Sequence, residues 1–140
     1  MKMCNDTITV FNARVDPDVG GNVWAPTVVT GASWYLTDAS TVDASKGGLV
    51  AANKATIRIP EDAGTGGKTW ADPVTYRNAQ SVTGLWTLQA GDIIVKGDAS
   101  LMTDPTPAKL KKAYSDCVTV LGVTDNRRAP NAPHWKVTAT

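Results

Sequence analysis

The sequence predicts a mainly β chain: a small antiparallel β-barrel or sandwich with one short helix and a long inserted loop. Three observations carry that expectation. Apolar residues make up 42% of the 140 positions, enough for one packed core and hence one domain over residues 1–140. Glu61 is the only glutamate among thirteen acidic residues, and aspartate favours turns and caps where glutamate favours helices. Twelve glycines and eight prolines punctuate short alternating apolar runs, the rhythm of a β domain.

In order along the chain, Asp6 to Arg14 alternates Ile8 and Val10 with Thr7 and Thr9 and reads as a first strand. Asp16-Pro17-Asp18 and Gly20-Gly21-Asn22 mark a turn. Thr27 to Leu36 is a second β-rich run, with Gly31 placed for a bulge or bend. Asp38 to Gly48 is polar and breaker-rich, Leu49 to Ala52 a short strand, and Ala55 to Pro60 a clear one. Glu61 to Gly84 carries Gly64, Gly66, Gly67 and Pro73 and reads as the long loop, with Trp70 and Tyr76 at its surface. Trp86 to Leu88 leads through Gln89-Ala90-Gly91-Asp92 into the strand Ile93 to Lys96. Thr106 as cap and Pro107 at the first helical position start a helix through Ser115, with Leu110, Ala113 and Tyr114 facing in and Lys109, Lys111 and Lys112 facing out. Cys117 to Val123 is a strand, Thr124-Asp125-Asn126 a turn, and His134 to Thr138 the last strand. Short strands with breakers between them favour a closed barrel over an open sheet with bare edges.

Charge and cysteine content narrow the function classes. Fourteen Lys and Arg against thirteen acids leave a net charge of +1, which gives no general pull toward nucleic acid or an anionic membrane. Cys4 and Cys117 are too few for a disulfide scaffold and read as reduced thiols of a protein made in the cytoplasm, a bridge between them staying open. No apolar run approaches the ~20 residues of a membrane span, and Met1 to Asp6 lacks the apolar core of a signal peptide.

Motifs for chemistry are weak. Gly64-Thr65-Gly66-Gly67-Lys68-Thr69 ends like a phosphate-binding loop, but the required earlier glycine is Asp62, and Trp70-Ala71-Asp72-Pro73 is a poor helix start. His134 is the only histidine; a nucleophilic pair with Cys4 or Cys117 lacks the helix-start setting that activates a thiol. One His with two distant Cys does not make a metal site, and Asp92 and Asp98 bracketing a strand are ordinary turn aspartates. No enzyme, cofactor or metal is expected. Of the five tryptophans, Trp34 and Trp135 are expected in the core, whereas Trp24 and Trp70 fall in turn-rich stretches open to a partner. With Lys68, Tyr76 and the adjacent Arg127 and Arg128, which suit an acidic surface or passing DNA, they are the candidate assembly contacts.

Leu121 to Pro130 (LGVTDNRRAP), closed by Pro133 to Val137 (PHWKV), resembles a family of small proteins in tailed phages and prophages of Gram-positive bacteria. Met3 to Asn12, Thr30 to Tyr35 and Gly91 to Gly97 carry the same likeness, so it spans most of the chain outside the long loop. That family is uncharacterised, and proteins of this size in the phage morphogenesis cluster are often minor capsid or head–tail connector components. The resemblance implies a virion structural protein, similar to head-closure (stopper) proteins: a β-barrel subunit of a homo-oligomeric ring, between portal or adaptor and tail, near packaged DNA. A tail-completion or minor tail protein is the neighbouring alternative. An OB-like nucleic-acid-binding module is the alternative from another class, and the missing basic–aromatic stripe weighs against it. In the ring reading, Glu61 to Gly84 is an arm that is mobile in the free protein and orders on assembly.

Overall fold

A computed structural model of the chain describes residues 5–16, 18, 20–43 and 48–140. The elements are β1 (Asp6–Asp16), β2 (Gly21–Asp43), β3 (Gly48–Pro60), β4 (Thr69–Trp70), α1 (Pro73–Asn78), β5 (Leu85–Trp86), β6 (Ile93–Lys96), α2 (Pro107–Ala113), β7 (Cys117–Asn126) and β8 (His134–Ala139). Six strands pair in the order β1-β2-β3-β8-β7-β6, and β6 returns to β1. Every pairing in this ring is antiparallel, and the return of β6 to β1 closes the sheet.

Alternation along the strands sends Ile8, Val10, Val29, Ile57, Ile59, Ile94, Val120, Trp135 and Val137 into one interior cluster. Phe11, Ile93 and Val95 point the other way, outside the barrel wall, where Ala99 and Leu110 cover them. The unbroken apolar run of β6 follows: it is buried on both faces, against the interior and beneath the 97–116 excursion. Thr106 caps α2 by accepting from Lys109 N at 3.2 Å, as the sequence predicts. Thr106→Ala is expected to lower unfolding free energy by about 1 kcal/mol, read from urea denaturation; an unchanged midpoint would show that the cap contributes nothing. Ala113, expected on the inner face, is exposed, because the helix ends there and Tyr114 turns in as its C-cap.

Gly31 is the bulge residue. Asp6 pairs with Ala32 and Thr7 with Thr30, leaving Gly31 unpaired opposite β1 at φ 85°, a left-handed conformation glycine adopts without strain.

Several expectations are corrected. There are two helices: Asp72 caps α1 by accepting from Thr75 N at 2.7 Å, and Pro73 occupies its first turn. Asp-Pro thus starts a helix here instead of breaking the chain. The 61–84 segment is consequently not a bare loop. It contributes β4 and α1 and packs Tyr76, expected at the surface, fully inside. β2 runs 23 residues without a break, so Trp24 lies in a strand and not in a turn. The polar stretch after Asp38 pairs through Asp43↔Gly48, and the two short strands expected at 49–60 are one strand, β3. Thr124, Asp125 and Asn126 finish β7, and the turn comes after them. Trp34 is half-buried, packed against the core cluster from its edge.

Candidate functional site

At the end of the barrel where β3 finishes and β7 turns into β8, three tryptophans meet. Trp70 lies 4.6 Å, centroid to centroid, from Trp135 and 5.2 Å from Trp86, and Trp86 lies 5.3 Å from Trp135; the two contacts to Trp86 are edge-to-face. The parallel bridge between β4 and β5 holds Trp70 opposite Trp86 and thereby folds the 61–84 segment back onto the barrel. Arg127 lies over this cluster, 5.5 Å from the Trp70 ring and 5.1 Å from that of Trp135. Its Nε and Nη2 donate to both Asp125 oxygens at 2.7–3.1 Å, and this holds the Asp125 carboxyl below the usual carboxylate range. Glu61, Asp125, Arg127 and Arg128 line a shallow cleft beside it.

Arg127 is therefore anchored within its own chain, while Arg128 is exposed. Both members of the Arg127–Asp125 pair are well exposed, so Arg127→Ala is expected to cost about 1 kcal/mol or less. The same variant shifts tryptophan emission, because the cation leaves two indole faces; unchanged emission would contradict the stacking.

The phosphate-loop-like segment has a structural use. Gly64 bridges to Thr30 on β2, where an added Cβ would sit 2.4 Å from Thr30 Oγ1. Lys68 Nζ donates to Pro26 O at 2.6 Å and Thr27 Oγ1 at 2.9 Å, so burial lowers its pKa and its charge is used internally. The segment continues into β4, not into the helix that a phosphate-binding loop requires.

Cys117 and His134 do not meet. His134 stands opposite Asn126 at one end of β7 and Cys117 begins the other, roughly 30 Å away along the strand. Cys117 is a free thiol with its pKa raised by burial, and Cys4 lies outside the described residues. His134 Nδ1–H donates to Ala132 O at 2.9 Å, leaving Nε2 to accept from Asn126 Nδ2 at 3.4 Å. Asp92 and Asp98 sit at opposite ends of β6, and among the described residues no cluster of potential metal ligands occurs.

Asp92 is a buried hub. Its carboxylate accepts from Asn12 Nδ2 at 2.7 Å, Ala13 N at 3.0 Å, and Gln89 N and Nε2 at 3.2 and 3.3 Å. Gln89 Nε2 also donates to Ala13 O at 3.0 Å. β6 ends its pairing with β1 at Phe11, and these two side chains replace the missing strand at Ala13. Burial pushes the Asp92 pKa up to about 6, against the pull of the hydrogen bonds from Ala13, Asn12 and Gln89. One sequence signal points to this hub: Asn12 continues the inward stripe of Ile8 and Val10, and a polar residue there needs a buried partner.

The last feature is an arm. β1 pairs with β2 only as far as Ala32, and β8 pairs with β3 only from Ala55. Beyond them β2 and β3 continue together from Thr37↔Lys54 to Asp43↔Gly48, a two-stranded ribbon about 20 Å long. No further strand pairs with either outer edge among the described residues. Over residues 3–140 the sequence matches a family model described as a family of unknown function, DUF6751. The chain belongs to that family. Comparison with curated proteins and with solved structures finds no match. Family membership thus carries no activity, and the ribbon, the Arg127–tryptophan cap and the Asp92 hub are the features from which function is argued. Of the six expected assembly contacts, Arg128 alone is exposed. Trp24 is half-buried under the outer cluster, Lys68 and Arg127 are held internally, Trp70 is stacked and Tyr76 is buried. No helix among the described residues is long and apolar enough to cross a membrane.

Proposed function

We propose that this chain is a structural subunit of a tailed-phage particle. In that reading it is a head-closure or stopper-like component of the head–tail connector, arranged as a homo-oligomeric ring between portal or adaptor and tail and close to packaged DNA. The observation that carries a role in assembly is the projecting ribbon. A two-stranded hairpin with no third strand is marginal in water, and its bare edges are templates for pairing with another chain. A closed barrel has no such edges of its own, so the arm extends beyond what the fold requires. The two edges also differ: the β2 arm carries Asp38 and Asp43, whereas the β3 arm from Gly48 to Lys54 carries no acid and ends in Lys54. Head-to-tail pairing of one ribbon's β2 edge with the next copy's β3 edge is a heterologous contact, which generates a ring when the rotation between copies closes. The 61–84 segment packs onto the barrel through Trp70 and Tyr76, and the arm in this proposal is the ribbon.

The test is electron microscopy of particles from a phage whose reading frame for this chain is interrupted. Separate heads beside complete free tails are expected. Intact heads lacking normal tails would move the chain into the tail, as a tail-completion protein. Ordinary infectious particles would refute a virion role.

A further inference from the structure

Strand register gathers basic side chains that lie far apart in the sequence onto one outer face of the barrel. Ile57 and Ile59 of β3 and Trp135 and Val137 of β8 point into the core, so the residues between them point out. On that outer face Arg58 is paired directly with Lys136. Ser33 of β2 flanks Arg58 and Thr124 of β7 flanks Lys136, which makes one row across four strands. The next row is Tyr35, Thr56, Thr138 and Gly122, and Lys54 follows Thr56 on the same side of β3. The face is open to solvent: Tyr35 is 62% exposed, and Lys54, Thr124 and Thr138 are exposed as well.

Arg58 opposite Lys136 is a like-charge cross-strand pair, which costs stability unless a counter-charge sits beside it. The chain supplies none. Among the described residues, neither these two side chains nor that of Lys54 makes a hydrogen bond or an ion pair, in contrast to Lys68 and Arg127. No acid stands in the two rows. Two carboxylates lie close in register, and both are committed elsewhere. Asp6 Oδ2 accepts from Trp34 N at 2.9 Å, and Asp125, on the Trp135 side of β7, pairs with Arg127. The net charge of +1 conceals the patch, because acids outnumber bases over the rest of the sequence. No stretch of sequence is basic and aromatic together, since the face draws its members from separate strands.

We propose that this face binds the phosphate backbone of duplex DNA. The guanidinium and ammonium groups neutralise phosphates, the serine and threonine hydroxyls donate to phosphate oxygens, and such contacts carry no sequence preference. Phosphate thereby supplies the counter-charge that the Arg58–Lys136 pair lacks. In the two rows, cations and hydroxyls surround a single aromatic, the polar and positive composition of a protein–DNA surface, whereas a protein interface has an apolar centre. The proposal deepens the connector reading and rests on it for the DNA it names. In the ring, this face lines the path of the duplex, and repetition around the ring strengthens a contact that is weak in one copy.

The test is fluorescence anisotropy of a short labelled duplex of arbitrary sequence, titrated with the full chain over roughly 1 to 100 μM at about 50 and about 200 mM salt. Arg58→Gln with Lys136→Gln is expected to weaken binding about 10-fold at the lower salt and to flatten the salt slope by about 2. Lys111→Gln with Lys112→Gln removes the same charge from exposed positions of α2 and is expected to leave affinity unchanged. Wild type that leaves the duplex unbound, or equal losses in the two double variants, would overturn the assignment. Tighter binding of a single strand, lost with Tyr35→Ala, would replace backbone contact by base stacking and overturn the duplex reading as well. Lys136→Glu separates binding from folding: it sets an acid opposite Arg58, so the thermal midpoint is expected to rise while DNA affinity falls. A lowered midpoint would contradict the like-charge cost on which the proposal stands. None of these outcomes touches the connector reading, which falls only on ordinary infectious particles from the interrupted phage.

Discussion

Asp92→Asn lowers the unfolding free energy by about 2 kcal/mol at pH 7, where the carboxyl is ionised. Four N–H donors converge on the Asp92 carboxyl, two at each oxygen: Ala13 N and Gln89 Nε2 at Oδ1, Asn12 Nδ2 and Gln89 N at Oδ2. Whichever oxygen the amide nitrogen replaces, two donors lose their acceptor in a site that is fully buried. Asn12 cannot turn to compensate, because its Oδ1 accepts from Thr87 N at 3.2 Å and its Nδ2 also donates to Thr87 O at 2.6 Å. The loss reaches beyond one side chain, since the same group completes the β1 edge where β6 ends.

The pH dependence has a definite sign. The folded-state pKa of Asp92 is raised to about 6 from an ordinary 3.8, so between these values the folded chain holds a proton that the unfolded chain has released. The stability contributed by protonating Asp92 is full below the ordinary value and is lost as pH rises through 6. From pH 5 to pH 7 the wild type loses roughly 1 kcal/mol through this group, and the asparagine variant loses none. The gap between them is therefore expected to narrow over that range. Urea denaturation followed by tryptophan fluorescence at both pH values measures it; a gap that widens with pH would contradict the assignment.

The barrel was legible in the sequence because its signals are local. Ile8, Val10, Ile57, Ile59 and the CVTVLGV run alternate or cluster over a few residues, and Thr106-Pro107 announces α2. Gly31 announced its bulge because that position needs φ > 0. What was not legible depends on distance in sequence. Nothing local says that Tyr76 is buried, that Lys68 spends its charge on Pro26 and Thr27 some forty residues earlier, or that Asp92 closes the edge of β1. Trp70 and Arg127 looked available because each sits among turn residues, yet they stack on one another across 57 positions of chain. The ribbon was hidden for a different reason. Asp38 to Gly48 has the polar composition of a loop, and only the pairing of β2 with β3 reveals a strand continuing past its neighbours.

Excising the ribbon is expected to abolish assembly and leave the barrel folded. Joining Leu36 to Ala55, which are already paired, by an Asn-Gly turn removes residues 37–54 and replaces them with the tightest hairpin connection. β8 pairs with β3 only from Ala55 to Pro60, and β1 reaches β2 only to Ala32, so no ring pairing of the barrel is lost. Shortening the connection even favours folding slightly through loop closure. The thermal midpoint is accordingly expected to stay within a few degrees of wild type, which shows by circular dichroism that the fold survives. Light scattering reads the other half: the excised chain remains monomeric at concentrations where wild type forms higher-mass species. Supplied in place of wild type to a phage lacking it, the excised chain restores no infectious particles. The two losses arise together because each ribbon's free edges are the template for its neighbours, and removing them from every copy removes both sides of the contact. Excised chain that assembles and supports infection as wild type does would separate the ribbon from assembly and leave it without a role in this proposal.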